Sequence, residues 1–351
     1  MANLGETAVM ARKAIKYGGV ALVFLMVGRI VLTASVAYWK KIHPDPPPPP
    51  DVLFGKLPKL VFPQVTEAVT TYNYSLETPT GGLPSKLPNQ FKVFFMPIKK
   101  ANLLAYDAAQ AVATRLDFIL PPKKLSETEY RWDATDPISS SLTINIITGA
   151  FVLDKKWQED ESYTTPTIYY NDPQALDRMY NLLGRVDLLP DDIKEGTSTI
   201  QYLKADKDQI VSAVSLSQAH FIQVNLYRAP VDGVSVVAPR SDRGLITGIV
   251  ALQREDERQF INLNYNYFPV DLDRSAVYPL IGVAEAWQRM QKGLGFVAGV
   301  KPNTTNVTIR EVSLQYYDSD TPQQFMQPVY VFKGDPDFVG YVPAIADAWL
   351  E

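Results

Sequence analysis

Residues Gly18–Tyr38 read GGVALVFLMVGRIVLTASVAY, and this stretch decides how the rest of the chain is understood. A helix that crosses a bilayer needs about twenty mostly apolar residues, because the hydrocarbon core is about 30 Å thick and each residue rises about 1.5 Å. The stretch has that length, with Arg29 as its only ionisable residue. Lys16 and Tyr17 precede it, and Tyr38, Trp39, Lys40 and Lys41 follow. Rings and cations at both ends suit the two headgroup regions. Residues 17–41 therefore read as a transmembrane helix anchored by Tyr17, Arg29, Tyr38, Trp39, Lys40 and Lys41. Arg29 costs about 2.5–3.5 kcal/mol on insertion scales, which leaves two readings: its long stem snorkels, or it meets an acidic partner helix.

A cleaved signal peptide is the rival interpretation. Arg12, Lys13 and Lys16 supply a charged start, and Ser35-Val36-Ala37 a small-residue tail. Against it, Arg29 interrupts the apolar run, and the run is long for a signal core. Either way the bulk of the chain is expected outside the cytoplasm of a cell membrane, behind a cytoplasmic tail of residues 1–16. The cations before and after the helix are nearly balanced, so this orientation rests on export of a large C-terminal portion.

The chain has 351 residues, which after the anchor leaves room for two domains or one large one with subdomains. Hydrophobic residues at 46% and charged residues at 21% allow a buried core. A formal charge of −4 argues against a nucleic-acid partner. The absence of cysteine removes disulfides, thiolate nucleophiles, iron–sulfur clusters and thiolate zinc sites. Packing alone must hold the fold.

Residues 42–65 read as a Pro-rich extended linker. Pro46–Pro50 favour polyproline II at about 3.1 Å per residue, a stand-off arm of roughly 20 Å. Asp51–Pro63 (DVLFGKLPKLVFP) predicts a strap docked on the first folded unit, residues 66–160. That unit reads as strands around Tyr72–Leu76 and Phe91–Phe95, then a helix carrying Leu104, Ala108, Ala111, Val112 and Leu116. Leu142–Ile146 and Ala150–Leu153 follow as two strands about a Thr148-Gly149 turn.

The second region, 161–351, leaves room for two further units. It opens with a helix capped by Asp172, with Pro173 at its first position and Leu176, Met179, Tyr180 and Leu183 on one face. Ile222, Val224 and Leu226 alternate with polar residues, as do Ile261, Leu263, Tyr265 and Tyr267 with Asn262, Asn264 and Asn266. A third helix starts at Pro279, and strands follow around Leu314, Tyr330 and Tyr341. The expected class is α+β: antiparallel sheets, each with a helix packed on one face.

The segments AEAWQRMQKG, TIREVSLQYYDSD, MQPVYVFKGD and FVGYVPAI between Val283 and Ala348 resemble the extracytoplasmic repeats of PepSY-like domains. They look especially like those of the membrane-anchored accessory proteins of the Yyc two-component system. Leu142–Val152 (LTINIITGAFV) is similar to the strand–turn–strand of such modules. The resemblance implies a bacterial, non-catalytic binding or regulatory protein at the outer membrane face, with an envelope protein as partner. It supplies no catalytic residue, and the Pro-rich arm and Arg240–Arg258 depart from it.

Searching for chemistry returns little. Gly293-Leu-Gly295-Phe-Val-Ala-Gly299 misses the dinucleotide fingerprint by one residue and follows a helix, so turn and helix-end roles explain it. No GxSxG, HExxH or GxxxxGK[ST] motif occurs. His220 is the one histidine beyond the arm and reads as a half-buried strand-edge residue. The pairs Asp271/Asp273, Asp318/Asp320 and Asp335/Asp337 could serve calcium or glycoside hydrolysis, but beside Pro and Ser they read first as turn chemistry. Tyr265, Tyr267, Tyr316, Tyr317 and Tyr330 form a possible partner surface, with core filling as the competing role. No catalytic, cofactor or metal residue is expected. A carboxylate-dependent envelope hydrolase and a structural subunit of a surface assembly are the alternatives.

Overall fold

A computed structural model describes residues 4–42, 48–64, 72–100, 102–135, 138–165, 171–252 and 259–351. His43–Pro47 of the arm, the start of the first unit at Thr66 and the end of Arg240–Arg258 lie outside the described residues. The chain forms two compact units, Met1–Pro49 and Pro50–Glu351.

The first unit holds α1, Leu4–Ile42. Within it Thr7–Trp39 spans 33 residues, and its apolar 18-residue window has a mean hydropathy of 2.3 with no residue buried. Thr33 Oγ1 donates to the carbonyls of Arg29 and Ile30, both at 2.9 Å, so the hydroxyl is satisfied inside the helix. Among the described residues one helix is thus long and apolar enough to cross a membrane, and a signal sequence would meet the same criterion.

The second unit is α+β. Its elements in order are β1 (Asn73–Leu76), β2 (Gln90–Phe95), α2 (Ala105–Arg115), β3 (Lys123–Lys124), β4 (Glu129–Ala134), β5 (Ser140–Asn145) and β6 (Phe151–Lys155). Next come α3 (Asp172–Arg185), the single-turn α4 (Asp191–Lys194), β7 (Ser198–Asp206), β8 (Gln209–Ser212), β9 (Phe221–Leu226) and β10 (Val236–Val237). The chain ends with β11 (Ile246–Ala251), β12 (Phe260–Tyr265), β13 (Asp271–Pro279), α5 (Val283–Gln291), β14 (Phe296–Gly299), β15 (Asn306–Tyr317), β16 (Phe325–Asp335) and β17 (Phe338–Pro343).

These strands form two sheets. The first is wholly antiparallel in the order β3-β4-β5-β6-β12-β11-β9-β7-β8. It takes strands from both sides of residue 160, where the sequence suggested a division. The second runs β1-β15-β16-β17-β14, with β2 on β16, β13 on β2 and β10 on β15. The expected antiparallel pairing holds for its other strands, and β1 and β10 add two parallel pairings to β15. A parallel partner far back in sequence leaves no hairpin signal to read.

Side chains of α2 (Ala109, Ala113) and α3 (Ala175, Met179, Leu182, Leu183) share one buried cluster with Leu142, Ile144, Leu153, Val224, Ile246 and Leu263. Gly248 of β11 permits this, because a Cβ there would lie 2.8 Å from Met179 Sδ. Asn171, not Asp172, caps α3. Its Oδ1 accepts from Gln174 N at 3.0 Å while Gln174 Oε1 accepts from Asn171 N at 2.9 Å, a reciprocal capping box.

Alternation in β9 predicts Gln223 and Asn225 facing out, yet all six residues are buried. Gln223 donates to Asn225 Oδ1 and to the Asp242 carbonyl, and Thr247 Oγ1 donates to Asn225 Oδ1 at 3.0 Å. A polar row in a central strand is tolerated because its members satisfy one another.

The strap docks on the second sheet, packing Leu57 against Val93 of β2, which lies within residues 66–160, and also against Tyr278, Phe325 and Ile345 toward the C-terminus. Val52 N donates to the Val277 carbonyl, Leu57 N to Trp349, and Glu351 N to Leu57. Leu57 is fully buried, and Phe62 stacks on Phe296 at 4.8 Å. Residues from Pro50 onward thus belong to the folded body, and the exposed Pro48 and Pro49 precede it.

Candidate functional site

Three features concentrate polar or accessible chemistry. The first is a pocket of about 460 Å³ beside α2, within the range that holds small ligands. Leu104, Ala108, Val112, Ile144, Ile146 and Leu188 line it, with Lys99, Asn102 and Asn145 as polar members. Small residues seat α2 close to the sheet: Ala105, Ala109 and Ala113, four apart, are buried. Two bonds fix the helix further. Trp132 of β4, fully buried, donates from Nε1 to Gln110 Oε1 at 3.1 Å, and Arg115 donates to the Val186 carbonyl at 3.0 Å.

The opposite wall is the β5–β6 turn. Asn145 Oδ1 accepts from the backbone of Ile147 and Thr148, at 3.1 and 3.0 Å, and Gly149 takes a φ of 80° that a side chain would strain. Lys99 reaches this turn: its Nζ lies 3.8 Å from where a Gly149 Cβ would stand. Among the described residues Lys99 has no ion pair. Beside it Ile98 is half exposed, Leu104 is 69% exposed and Leu103 is wholly exposed. The pocket is apolar, with one unpaired cation at its edge.

The second feature is a cleft of about 870 Å³ between the strap and α5, lined by Lys59, Phe62, Glu285, Arg289, Lys292 and Asp347 among others. Two of its carboxylates share one cation. Arg289 donates to both oxygens of Asp347 at 3.0 and 2.8 Å and to Glu285 at 2.5 Å. The Arg289 hydrogen bonds hold the Asp347 carboxyl below its usual range. A general acid needs the opposite shift.

The third feature is a buried ionic cluster. Arg228, 4% exposed, donates to Asp318 Oδ2 at 2.7 Å, to the Phe268 carbonyl at 2.6 Å and to Asp192, and lies over the Tyr267 ring at 4.7 Å. Burial opposes the Arg228 cation, but Asp318 and Asp192 outweigh it and hold its pKa above the ordinary arginine value. Complete burial raises the Asp318 carboxyl against the lowering pull of Arg228. The cluster ties the segment after β9 to α4, to the end of β12 and to the end of β15, so it joins the two sheets. It is a fastening, not an open site.

The tyrosine surface expected from sequence is not exposed. Tyr265, Tyr316, Tyr317 and Tyr330 are at most 5% exposed, and Tyr267 is half-buried beneath Arg228. Their rings fill the core: Tyr265 stacks on Phe151 at 5.3 Å, and Tyr330 donates to the Ile281 carbonyl at 2.6 Å. Burial accordingly pushes the Tyr267 hydroxyl up to about 12. Of the anchor residues, Tyr17, Arg29, Tyr38 and Trp39 lie exposed along α1, while the side chains of Lys40 and Lys41 lie outside the described residues.

Asp318 is consumed by Arg228, Asp335 accepts from Arg310 at 2.7 Å, and Asp271 accepts from the Asp273 backbone. Among the described residues no group of three or more His, Asp or Glu side chains could hold a metal ion. His220 Nδ1 accepts from Ala205 N at 3.0 Å, and burial, helped by Lys204, lowers its pKa. Gly293 ends α5 at a φ of 72°, and a Cβ on Gly299 would strike Ser241. The glycine run thus serves a turn and close packing. Asn262 donates to Asp154 and Asn264 to Asn262, a half-buried ladder. Sequence reading passed over the α2 pocket, although IKKANLL, an apolar tip beside two lysines, is a usable signal for it.

No protein-family model matches the chain, and no curated protein matches it. Among solved structures, an uncharacterized protein from Eubacterium rectale ATCC 33656 is similar at 10% identity, covering 72% of this chain and 82% of that one, with a TM-score of 0.34.

Proposed function

We propose that the protein is a single-pass, membrane-anchored binding or regulatory protein of the bacterial envelope, with its body outside the cytoplasm and the pocket beside α2 as its binding site. The carrying observation is that pocket: apolar walls on a rigid helix–turn frame, edged by an unpaired cation and exposed leucines. Exposed apolar side chains around a concavity mark contact sites in proteins of this kind. The bilayer-length helix ahead of the body supports the anchoring, and the PepSY-like motifs support the regulatory reading.

Catalysis is not part of this reading. The two carboxylates of the larger cleft are clamped by one arginine, which suits neither a proton donor nor a nucleophile awaiting substrate. The test is a photo-crosslinking residue at Leu103 in native membranes. A reproducible crosslinked envelope component, protein or lipid, is expected; its absence, with crosslinks no stronger than from the exposed Glu127, refutes the assignment.

A further inference from the structure

We infer that the α2 pocket binds the acyl chain of an anionic amphiphile, with the acid group held by Lys99 and the chain among Leu104, Ala108, Val112, Ile144 and Leu188. This rests on the reading of the pocket as a binding site and adds the chemistry of its occupant.

Three observations carry it. Apart from Lys99, Asn102 and Asn145 the walls are aliphatic, from Leu, Ile, Val and Ala without an aromatic ring, so they suit a flexible hydrocarbon better than a flat ring system. The volume, about 460 Å³, suits a single chain. Lys99 is the one ionisable lining residue, it has no ion pair among the described residues, and it lies over the tight turn at Gly149. Lys99 is exposed at the edge of the hydrocarbon slot, where its ammonium can form a charge-assisted hydrogen bond to the negative end of an amphiphile whose chain lies in the slot. Lys100 adds charge of the same sign, and exposed Ile98 and Leu103 extend the apolar surface beyond the pocket. A slot with an apolar apron and two lysines is suited to taking chains from an anionic lipid surface.

Binding should follow chain length. Each methylene that enters apolar surroundings is worth about a fourfold gain in affinity. The gain should continue until the slot is filled and then stop, whereas simple partition into lipid has no such ceiling.

The experiment uses the full chain in phosphatidylcholine nanodiscs with a diazirine-bearing palmitic acid, and maps crosslinked peptides by mass spectrometry. Labels are expected on the peptides carrying residues 102–112 and 144–149, and unlabelled saturated acids of eight to sixteen carbons should compete with a plateau in chain length. Ala108→Trp, which puts an indole into the slot from an exposed helix position, should remove these labels while the melting curve is retained. Lys99→Glu should weaken competition by the acid about tenfold and leave competition by the corresponding fatty alcohol unchanged.

A phosphate-headed competitor, lysophosphatidic acid, separates the sources. If it competes better than palmitate the occupant is a lipid headgroup species; if worse, a free fatty acid, and both outcomes support the inference. Labels confined to α1 or scattered over the surface, or retained in Ala108→Trp, overturn it. If the acid fails to label but a probe at Leu103 captures a protein, the acyl assignment falls while the binding reading stands. If neither labels, both fall.

Discussion

Arg228→Ala should be among the most damaging single changes in the folded body. Among the described residues it removes the only cation paired with Asp318, a fully buried carboxylate, and it also removes the ion pair of Asp192. Breaking a buried pair by deleting one partner costs about 3–5 kcal/mol, because the other charge stays in a medium that solvates it poorly. The body has roughly 300 residues, and at about 2.1 cal/mol/K of unfolding entropy per residue 1 kcal/mol moves its midpoint by about 1.6 °C. The expected loss is therefore about 5–8 °C. Adding Asp318→Asn removes the stranded charge and should return about half of that loss. The sign of the pH effect follows from burial. Asp318 has a raised pKa in the fold, and more so without Arg228, so the folded state binds its proton first and the deficit of Arg228→Ala should narrow as the pH falls from neutrality toward the ordinary carboxylate range. Thermal unfolding of the full chain in mild detergent, followed by tryptophan fluorescence, measures all three. A loss under about 2 °C for Arg228→Ala, or no relief from Asp318→Asn, refutes the reasoning.

Other expectations follow from single features. Leu57→Ala should cost about 2–5 kcal/mol in the same melt, since Leu57 is fully buried between strap and C-terminus; a neutral result would return the strap to the status of a loose linker. His220, with its pKa lowered by burial and its Nδ1 accepting a backbone N–H, contributes stability that is present above the ordinary histidine value and is lost as the pH falls through its folded value. His220→Gln should flatten that dependence between pH 7 and 5, and an unchanged slope would discount the histidine. Arg29→Leu should leave co-purifying partners unchanged if the guanidinium snorkels, and should lose one if an acidic helix faces it.

The parts of this fold that were legible in the sequence are those set by local physics. The apolar run at Gly18–Tyr38 gives α1, alternation gives β5, β6 and β12, and periodic apolar residues behind Pro173 give α3, although the helix runs through Gly184 to Arg185 and its N-cap is misplaced by one residue because Asn171 and Asp172 are both good caps. The rest depends on long-range partners. DVLFGKLPKLVFP announces an extended strap, but nothing in it says that its docking surface reaches the C-terminus. Arg228 stands 90 residues from Asp318 and 36 from Asp192, so no spacing rule joins them. Tyr265, Tyr316, Tyr317 and Tyr330 do lie on strands, whereas Tyr267 falls just beyond β12, and which strand face is buried depends on a second layer that period-2 patterning does not specify. Of the candidate site, Lys99 and the exposed leucines are visible as a motif, whereas the slot itself exists only once α2 lies against the β5–β6 turn.

The anchoring proposed for the front helix is tested most directly by carbonate extraction of cell membranes followed by intact-mass measurement. The expected result is a chain that stays in the pellet at full mass, α1 included. A soluble product whose mass begins after the Ser35-Val36-Ala37 stretch would show a cleaved leader and contradict the anchor.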